Sequence, residues 1–110
     1  MNPPKVLHLT LQKQWFDQIL DGTKTIEYRE YKKYWIDRLQ EKDGSFKKFD
    51  VIHFKNGYNP DAPFMVVELN EIRIKSINWF SKEKKFELLL GKILETGNIK
   101  EKFSHHINHD

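Results

Sequence analysis

The chain of 110 residues contains no cysteine, which excludes disulfide-linked scaffolds, thiolate zinc sites and cysteine nucleophiles. It also lacks any apolar run that approaches the ~18 residues typical of a membrane-spanning helix, and its first residues lack the apolar stretch of a signal peptide. We therefore expect a soluble, cytoplasmic protein that has no membrane partner and no disulfide-linked partner.

A strong net charge is absent as well, because 19 basic residues face 16 acidic ones and leave a formal charge of +3. The stretch from Lys24 to Lys48 contains eight basic and five acidic residues, an excess equal to that of the whole chain. Such a stretch is typical of a solvated lysine-rich face, and it also fits a weak phosphate-facing surface. Eight phenylalanines, four tyrosines and three tryptophans supply the bulk of one core, so the length predicts a single domain over residues 1–110.

Hydrophobic periodicity divides the chain into short elements. It predicts strands over residues 5–9, 25–29, 50–54 and 64–74, and helices over residues 11–20 and 31–39. We expect Thr10 to cap the first helix and Gly22 to end it. Residues 86–94 have helical spacing, although Gly91 in the middle disfavours a helix. Strands dominate, which predicts an α+β domain with a mixed, strongly curved sheet.

The second predicted strand carries the most informative polar residues. Thr25, Glu27 and Arg29 share one face of a regular strand, and Ile26 and Tyr28 share the other. We expect the apolar pair to face the core and the polar residues to line a cleft. The alternative is a surface strand on which Glu27 simply pairs with Arg29.

Several aromatic and histidine side chains have structural or functional interpretations. Trp15 and Trp35 occupy helical positions that predict core packing. Tyr58, which follows the turn at Asn56, can serve as a stacking platform for a base or pack on the rim of the sheet. We interpret His8 and His53, both on predicted strands, as structural.

The C-terminal residues 101–110 include three histidines and an aspartate, a combination that can chelate Zn or Ni. A terminal segment with so few apolar residues is expected to be a mobile tail. We therefore predict no metal site and no cofactor.

The spacing Gly-x-Lys-x-x-Glu-x-Arg, formed here by Gly22, Lys24, Glu27 and Arg29, resembles the signature of the ASCH domain family, which belongs to the PUA-like group of small β-barrels. The resemblance extends over about residues 6–99. It implies a PUA-like mixed β-barrel of five to six strands flanked by two or three helices, with residues 86–94 as a strand. It also implies a cleft at the motif that takes RNA or a nucleotide-like ligand.

The chemistry of the motif side chains agrees with that implication. Arg29 offers a planar fork to a phosphate or a carbonyl edge, whereas Lys24 offers a point charge. Glu27 can accept a hydrogen bond from a base or hold Arg29 in place. The ligand-binding residues that we predict are Lys24, Thr25, Glu27, Arg29, Asn56 and Tyr58.

An enzymatic alternative follows from the same resemblance, because the PUA-like group includes amidohydrolases of N-acetylated cytidine and a nuclease. The amidohydrolases have threonine three residues after their lysine, where this chain has Glu27 after Lys24. Thr25 is the nearest hydroxyl, and Glu68 can supply a carboxylate. The catalytic residues of such a hydrolase would be Lys24, Glu27 and Glu68. A protein-interaction module is a third possibility that the sequence leaves open.

Overall fold

The structure, a computed structural model, describes residues 2–99. These residues form β1 (Val6–Thr10), α1 (Lys13–Leu20), β2 (Ile26–Glu30), α2 (Lys33–Leu39), β3 (Val51–Lys55), β4 (Phe64–Ser76) and β5 (Lys84–Gly97). The predicted α+β class is confirmed. In this part of the chain no helix is long and apolar enough to cross a bilayer. The predicted C-terminal tail and its histidines lie outside the described residues.

The five strands form one sheet in the order β1-β3-β4-β5-β2, which curls into a half-barrel. The β1 and β3 strands are parallel, and the other neighbouring strands are antiparallel. Irregularities of register between Val66 and Glu71 interrupt the β4–β5 ladder, and such bulges bend a strand and increase its twist. The two edges of the sheet are β1 and β2, and both lie next to the site described below.

The core occupies the concave side of this sheet and is closed by the two helices. Phe16 and Ile19 of α1 and Leu39 of α2 are buried against it. The sheet contributes mainly leucine, isoleucine, valine, methionine and phenylalanine side chains. The fully buried ones are Ile52, Phe54, Met65, Val67, Phe86 and Leu88.

The start of the first helix differs from the prediction. Thr10 is the last residue of β1, and Leu11 still continues the pairing with β3 by donating its N–H to the carbonyl oxygen of Lys55 at 2.8 Å. The helix therefore begins at Lys13, and its N-cap position is Gln12, which makes no side-chain capping bond. The predicted end is confirmed, because Gly22 has a φ of +88°, which favours glycine.

Residues 86–94 belong to β5. This agrees with the strand that the family resemblance implies and not with the helix that the apolar spacing favours. This part of β5 pairs with β4 on one side and with β2 on the other. Phe86, Leu88 and Leu90 alternate along it and are buried. The two neighbouring strands satisfy the backbone of this segment, so tertiary pairing overrides its local period.

Candidate functional site

The polar face of β2 points into the half-barrel. Glu27 lies opposite Leu88 of β5, and Arg29 lies opposite Phe86. Because directly opposed residues share a face, Glu27 and Arg29 face the core, and Glu27 is only 6% exposed. The alternation within β2 is as predicted, but the side assigned to the core is wrong: Tyr28 points outward and is 42% exposed.

The buried carboxylate of Glu27 binds two cations. Arg29 donates to Glu27 Oε2 from Nη2 at 2.6 Å and from Nε at 3.0 Å. The Lys24 ammonium lies 3.4 Å from Glu27 Oε1. A buried carboxylate needs such partners, since an unpaired one would be strongly destabilising. We call Lys24, Glu27 and Arg29 the Glu27 cluster; two cations and one anion give it one excess positive charge.

Arg29 also connects the two edges of the sheet. Its Nη2 donates to the backbone carbonyl oxygen of Thr10, the last residue of β1, at 3.2 Å. Its guanidinium lies 4.8 Å from the ring of Trp35 on α2, which packs against the core as predicted. Arg29 is therefore held on three sides by protein groups, so it positions the cluster and closes the open side of the half-barrel.

Lys24 is placed differently, against two aromatic rings. Its Nζ donates to the carbonyl oxygen of Ile26 at 2.6 Å and lies 5.4 Å from the ring centroid of Trp15 and 4.9 Å from that of Tyr28. Trp15 is 39% exposed, so the prediction that it belongs to the core is wrong. Trp15 lies beside the buried face of α1, which is formed by Phe16 and Ile19.

Lys24 lines two cavities. One has a volume of about 400 Å³ and is lined by Ile19, Gly22, Lys24, Thr25, Leu90, Gly91, Lys92 and Ile93. The other has a volume of about 270 Å³ and is lined by Trp15, Gln18, Thr23, Lys24, Thr25, Ile26 and Tyr28. Lys24 and Thr25 thus contribute to both walls. Neither wall includes Glu27 or Arg29.

Glu68 lies behind the wall of the larger cavity. Its Oε1 accepts a hydrogen bond from the backbone N–H of Lys92 at 2.9 Å. A Cβ at Gly91 would lie 2.9 Å from the same oxygen and 2.8 Å from Oδ1 of Asn70, so a larger residue there would displace these two side chains. The carboxylate paired with Lys24 is that of Glu27, and Glu68 holds the backbone of β5 instead.

The structure does not bring Asn56 and Tyr58 together with Lys24. The side-chain Nδ2 of Asn56 donates to the carbonyl oxygen of Leu11 at 2.9 Å and fastens the chain that follows β1. Tyr58 is 89% exposed in the loop after β3, and it lines neither cavity. The aromatic residues beside Lys24 are Trp15 and Tyr28, which sequence reasoning assigned to the core.

The two strand histidines form a separate group. The rings of His8 and His53 lie 5.3 Å apart, and His53 stacks on Phe64 at 5.0 Å. Burial lowers the pKa of His53, and the nearby His8 lowers it further. Within residues 2–99, no cluster of three or more His, Asp or Glu side chains could hold a metal ion.

Comparison of the chain with protein-family models, with curated proteins and with solved structures found no match. What the site can bind is therefore inferred from its own residues.

Proposed function

We propose that the chain binds an RNA or a nucleotide-like ligand in the cleft formed by Trp15, Lys24, Thr25 and Tyr28, which we call the Lys24 cleft. One observation carries this proposal: Lys24 lines two cavities, and its ammonium lies against two partly exposed aromatic rings. A nucleotide presents an anionic phosphate and a flat base, and these are the two groups that a cation and an aromatic ring bind.

The charge of the Glu27 cluster supports a phosphate at Lys24. Arg29 contacts the Glu27 carboxylate at 2.6 Å, whereas Lys24 is at 3.4 Å. Glu27 is therefore compensated mainly by Arg29, and the excess positive charge lies on the side of Lys24. Because Lys24 also borders both cavities, that charge is the one a ligand would meet.

Neighbouring side chains support a base beside the phosphate. Trp15 and Tyr28 are 39% and 42% exposed, so part of each ring remains available for stacking. Gln18, Thr23 and Thr25 line the same walls and offer hydrogen-bonding groups to a base or a sugar. This arrangement corresponds to the ligand class that the resemblance to ASCH domains implies, with Trp15 and Tyr28 in place of Tyr58 as the stacking residues.

The hydrolase is the second candidate, since Lys24 and Thr25 border one cavity and could bring an amine and a hydroxyl to the same substrate. The binding function is favoured for two reasons. The Lys24 ammonium already donates to the carbonyl oxygen of Ile26 and contacts Glu27, which suits a fixed cation. The position three residues after the lysine is Glu27, which is buried and engaged by Arg29 rather than free to act as a nucleophile.

A titration with nucleoside monophosphates, short RNAs and N-acetylcytidine tests the proposal, with binding and product release followed together. Lys24→Ala should weaken binding by about 5- to 150-fold, the loss expected for one charge-assisted hydrogen bond. Lys33→Ala is the matched control, because Lys33 is an exposed lysine of α2 that pairs with Asp37.

The outcomes separate the candidates. Equal binding by the wild type and Lys24→Ala would contradict the Lys24 cleft. Release of acetate from N-acetylcytidine by the wild type, abolished in Lys24→Ala, would establish the hydrolase instead, since general acid–base groups contribute ~100- to 10,000-fold to a rate.

A further inference from the structure

The loop between β4 and β5 exposes two large aromatic side chains at its tip. Trp79 and Phe80 are each 89% exposed, and their ring centroids lie 5.3 Å apart. Ile77 beside them is 51% exposed. Such neighbouring apolar groups contribute nothing to the core, and an exposed apolar patch of this kind marks a binding surface.

Hydrogen bonds within the loop hold the turn that carries Trp79 and Phe80. Asn78 Oδ1 accepts the N–H groups of Phe80 at 2.9 Å and of Ser81 at 2.7 Å. The N–H of Ile77 donates to the carbonyl oxygen of Glu83 at 3.0 Å and closes the hairpin. These bonds hold the backbone, so binding through the two rings would require little ordering of the chain.

The flanks of the tip carry positive charge. Residues 75–85 contain four lysines and one glutamate, which is the same excess as in the whole chain. Lys85 lies with its Nζ 4.1 Å from the ring centroid of Tyr28, the aromatic residue that also contacts Lys24. Lys84 lies 5.5 Å from the ring of Tyr31. Lys24, Tyr28 and Lys85 therefore form a row of cation, ring and cation that leads from the Lys24 cleft to the base of the hairpin.

We propose that Trp79 and Phe80 are a second stacking platform, and that the ligand of the Lys24 cleft is a single-stranded nucleic acid that extends from the cleft along β5 to this tip. This inference rests on the proposed function of the cleft. From Glu87, which lies opposite Tyr28 of the cleft, to Phe80 the chain spans seven residues, or no more than about 25 Å. A strand of a few nucleotides covers such a distance, and sites of ~4–16 nucleotides are usual for small domains that bind single strands.

The position of the lysines favours a nucleic acid strand over a lipid surface. An anionic bilayer would attract lysines arranged around the tip. Here residues 77–83 of the tip contain a single lysine, Lys82, whereas Lys85 lies over the ring of Tyr28, beside the hairpin and toward β2. A strand that runs along the face of Tyr28 would meet Lys24 and Lys85 and then the exposed rings.

The experiment compares the wild type with Trp79→Ala/Phe80→Ala, whose side chains are exposed, after circular dichroism has shown that both proteins are folded. Their affinities are measured for uridine monophosphate and for an eight-nucleotide single-stranded RNA. We expect the variant to bind the octamer at least about tenfold more weakly, since two stacking rings are lost, and to bind the mononucleotide as the wild type does. The control is Leu94→Ala, which removes an exposed apolar side chain near the other end of β5.

The remaining outcomes distinguish the two proposals. If the octamer binds equally to the tip variant but weakly to Lys24→Ala, the platform is overturned and the cleft stands. If the octamer is affected by the tip variant and neither ligand by Lys24→Ala, the platform stands and the cleft is overturned. Binding to phosphatidylserine vesicles that is lost in the tip variant, with octamer binding unchanged, would make the tip a lipid contact. No binding of either ligand to the wild type would overturn both.

Discussion

Glu27 and Glu87 are the buried charged residues among residues 2–99, at 6% and 3% exposure, and they lie on neighbouring strands. Glu27 faces the core opposite Leu88, whereas Glu87 lies opposite Tyr28 and shares its face of the sheet. Each accepts hydrogen bonds from an arginine. Glu27 binds Arg29, two residues later on the same strand, and Glu87 binds Arg73, which lies opposite it on β4. Glu87 accepts one bond, from Arg73 Nε at 2.6 Å, and the Arg73 side chain is 46% exposed.

The two glutamates differ in the number of cations that compensate them. The buried carboxylate of Glu87 is compensated by one arginine, Arg73, whose side chain is partly exposed to solvent. One such arginine is therefore enough to compensate a buried carboxylate in this sheet. Glu27 accepts two hydrogen bonds from Arg29 and also forms an ion pair with Lys24. Its cluster therefore contains one cation more than is needed to compensate the buried carboxylate. An excess buried cation beside cavities is typical of a binding site for an anion, whereas the Glu87 pair joins two strands.

The largest expected difference is in stability, between Glu27→Gln and Glu87→Gln. Glu27→Gln leaves Lys24 and Arg29 without a counter-charge at 12% and 16% side-chain exposure, and should lower the free energy of unfolding by about 3–5 kcal/mol. Glu87→Gln leaves Arg73 without its counter-charge, but that side chain is exposed to water. The free energy of unfolding should therefore fall by about 1–2 kcal/mol. Urea denaturation at pH 7.5 measures both.

If Glu27→Gln proves too unstable to purify, adding Lys24→Met removes one of the two uncompensated cations and should restore part of the stability. A loss for Glu87→Gln equal to or larger than that for Glu27→Gln would contradict the distinction between the two glutamates.

A smaller difference is expected when each arginine is replaced by lysine, which keeps the charge and removes the fork. Arg29→Lys loses the paired bonds to Glu27 and the bond to the carbonyl oxygen of Thr10, and should cost about 1–2 kcal/mol of unfolding free energy. Arg73→Lys loses a single bond at a half-exposed side chain and should stay within about 0.5 kcal/mol. Equal losses would mean that the link between the sheet edges contributes nothing.

The sequence predicts β2 well in one respect and poorly in another. Alternation correctly puts Glu27 and Arg29 on one face, because that follows from strand geometry. Which face is buried depends on the partner strand: β5 brings Leu88 and Phe86 to the charged side. Residue type alone assigns charged side chains to solvent, and it cannot include the compensation among Lys24, Glu27 and Arg29 that makes their burial tolerable.

The other differences have the same origin in tertiary structure. The helical spacing of residues 86–94 is overridden by pairing with two strands. Trp15 fits the apolar spacing of α1, but the buried stripe of that helix extends only over Phe16 and Ile19. The hairpin tip carried a signal that sequence reasoning passed over, namely adjacent Trp79 and Phe80 between lysine-rich flanks.

The smallest expected effect concerns pH, and it fixes the conditions under which the two glutamates should be compared. Burial, with a contribution from the charge of His8, lowers the pKa of His53 below its ordinary value of about 6.5. As the pH falls through 6.5, the unfolded chain therefore binds more protons at this residue than the folded one, and the free energy of unfolding decreases. Above that value His53 is neutral in both states and the decrease is absent, so pH 7.5 is suitable for the glutamate variants.

His53→Phe tests this assignment. A phenyl ring can keep the stacking on Phe64, which lies 5.0 Å from the His53 ring, but it cannot titrate. Between pH 7.5 and 5.5 we expect the variant to lose less stability than the wild type, as measured by urea denaturation at each pH. His8→Gln should give an intermediate result, because it removes the charge of His8 and leaves the burial of His53. If His53→Phe loses as much stability as the wild type over this range, other groups must be responsible for the pH dependence.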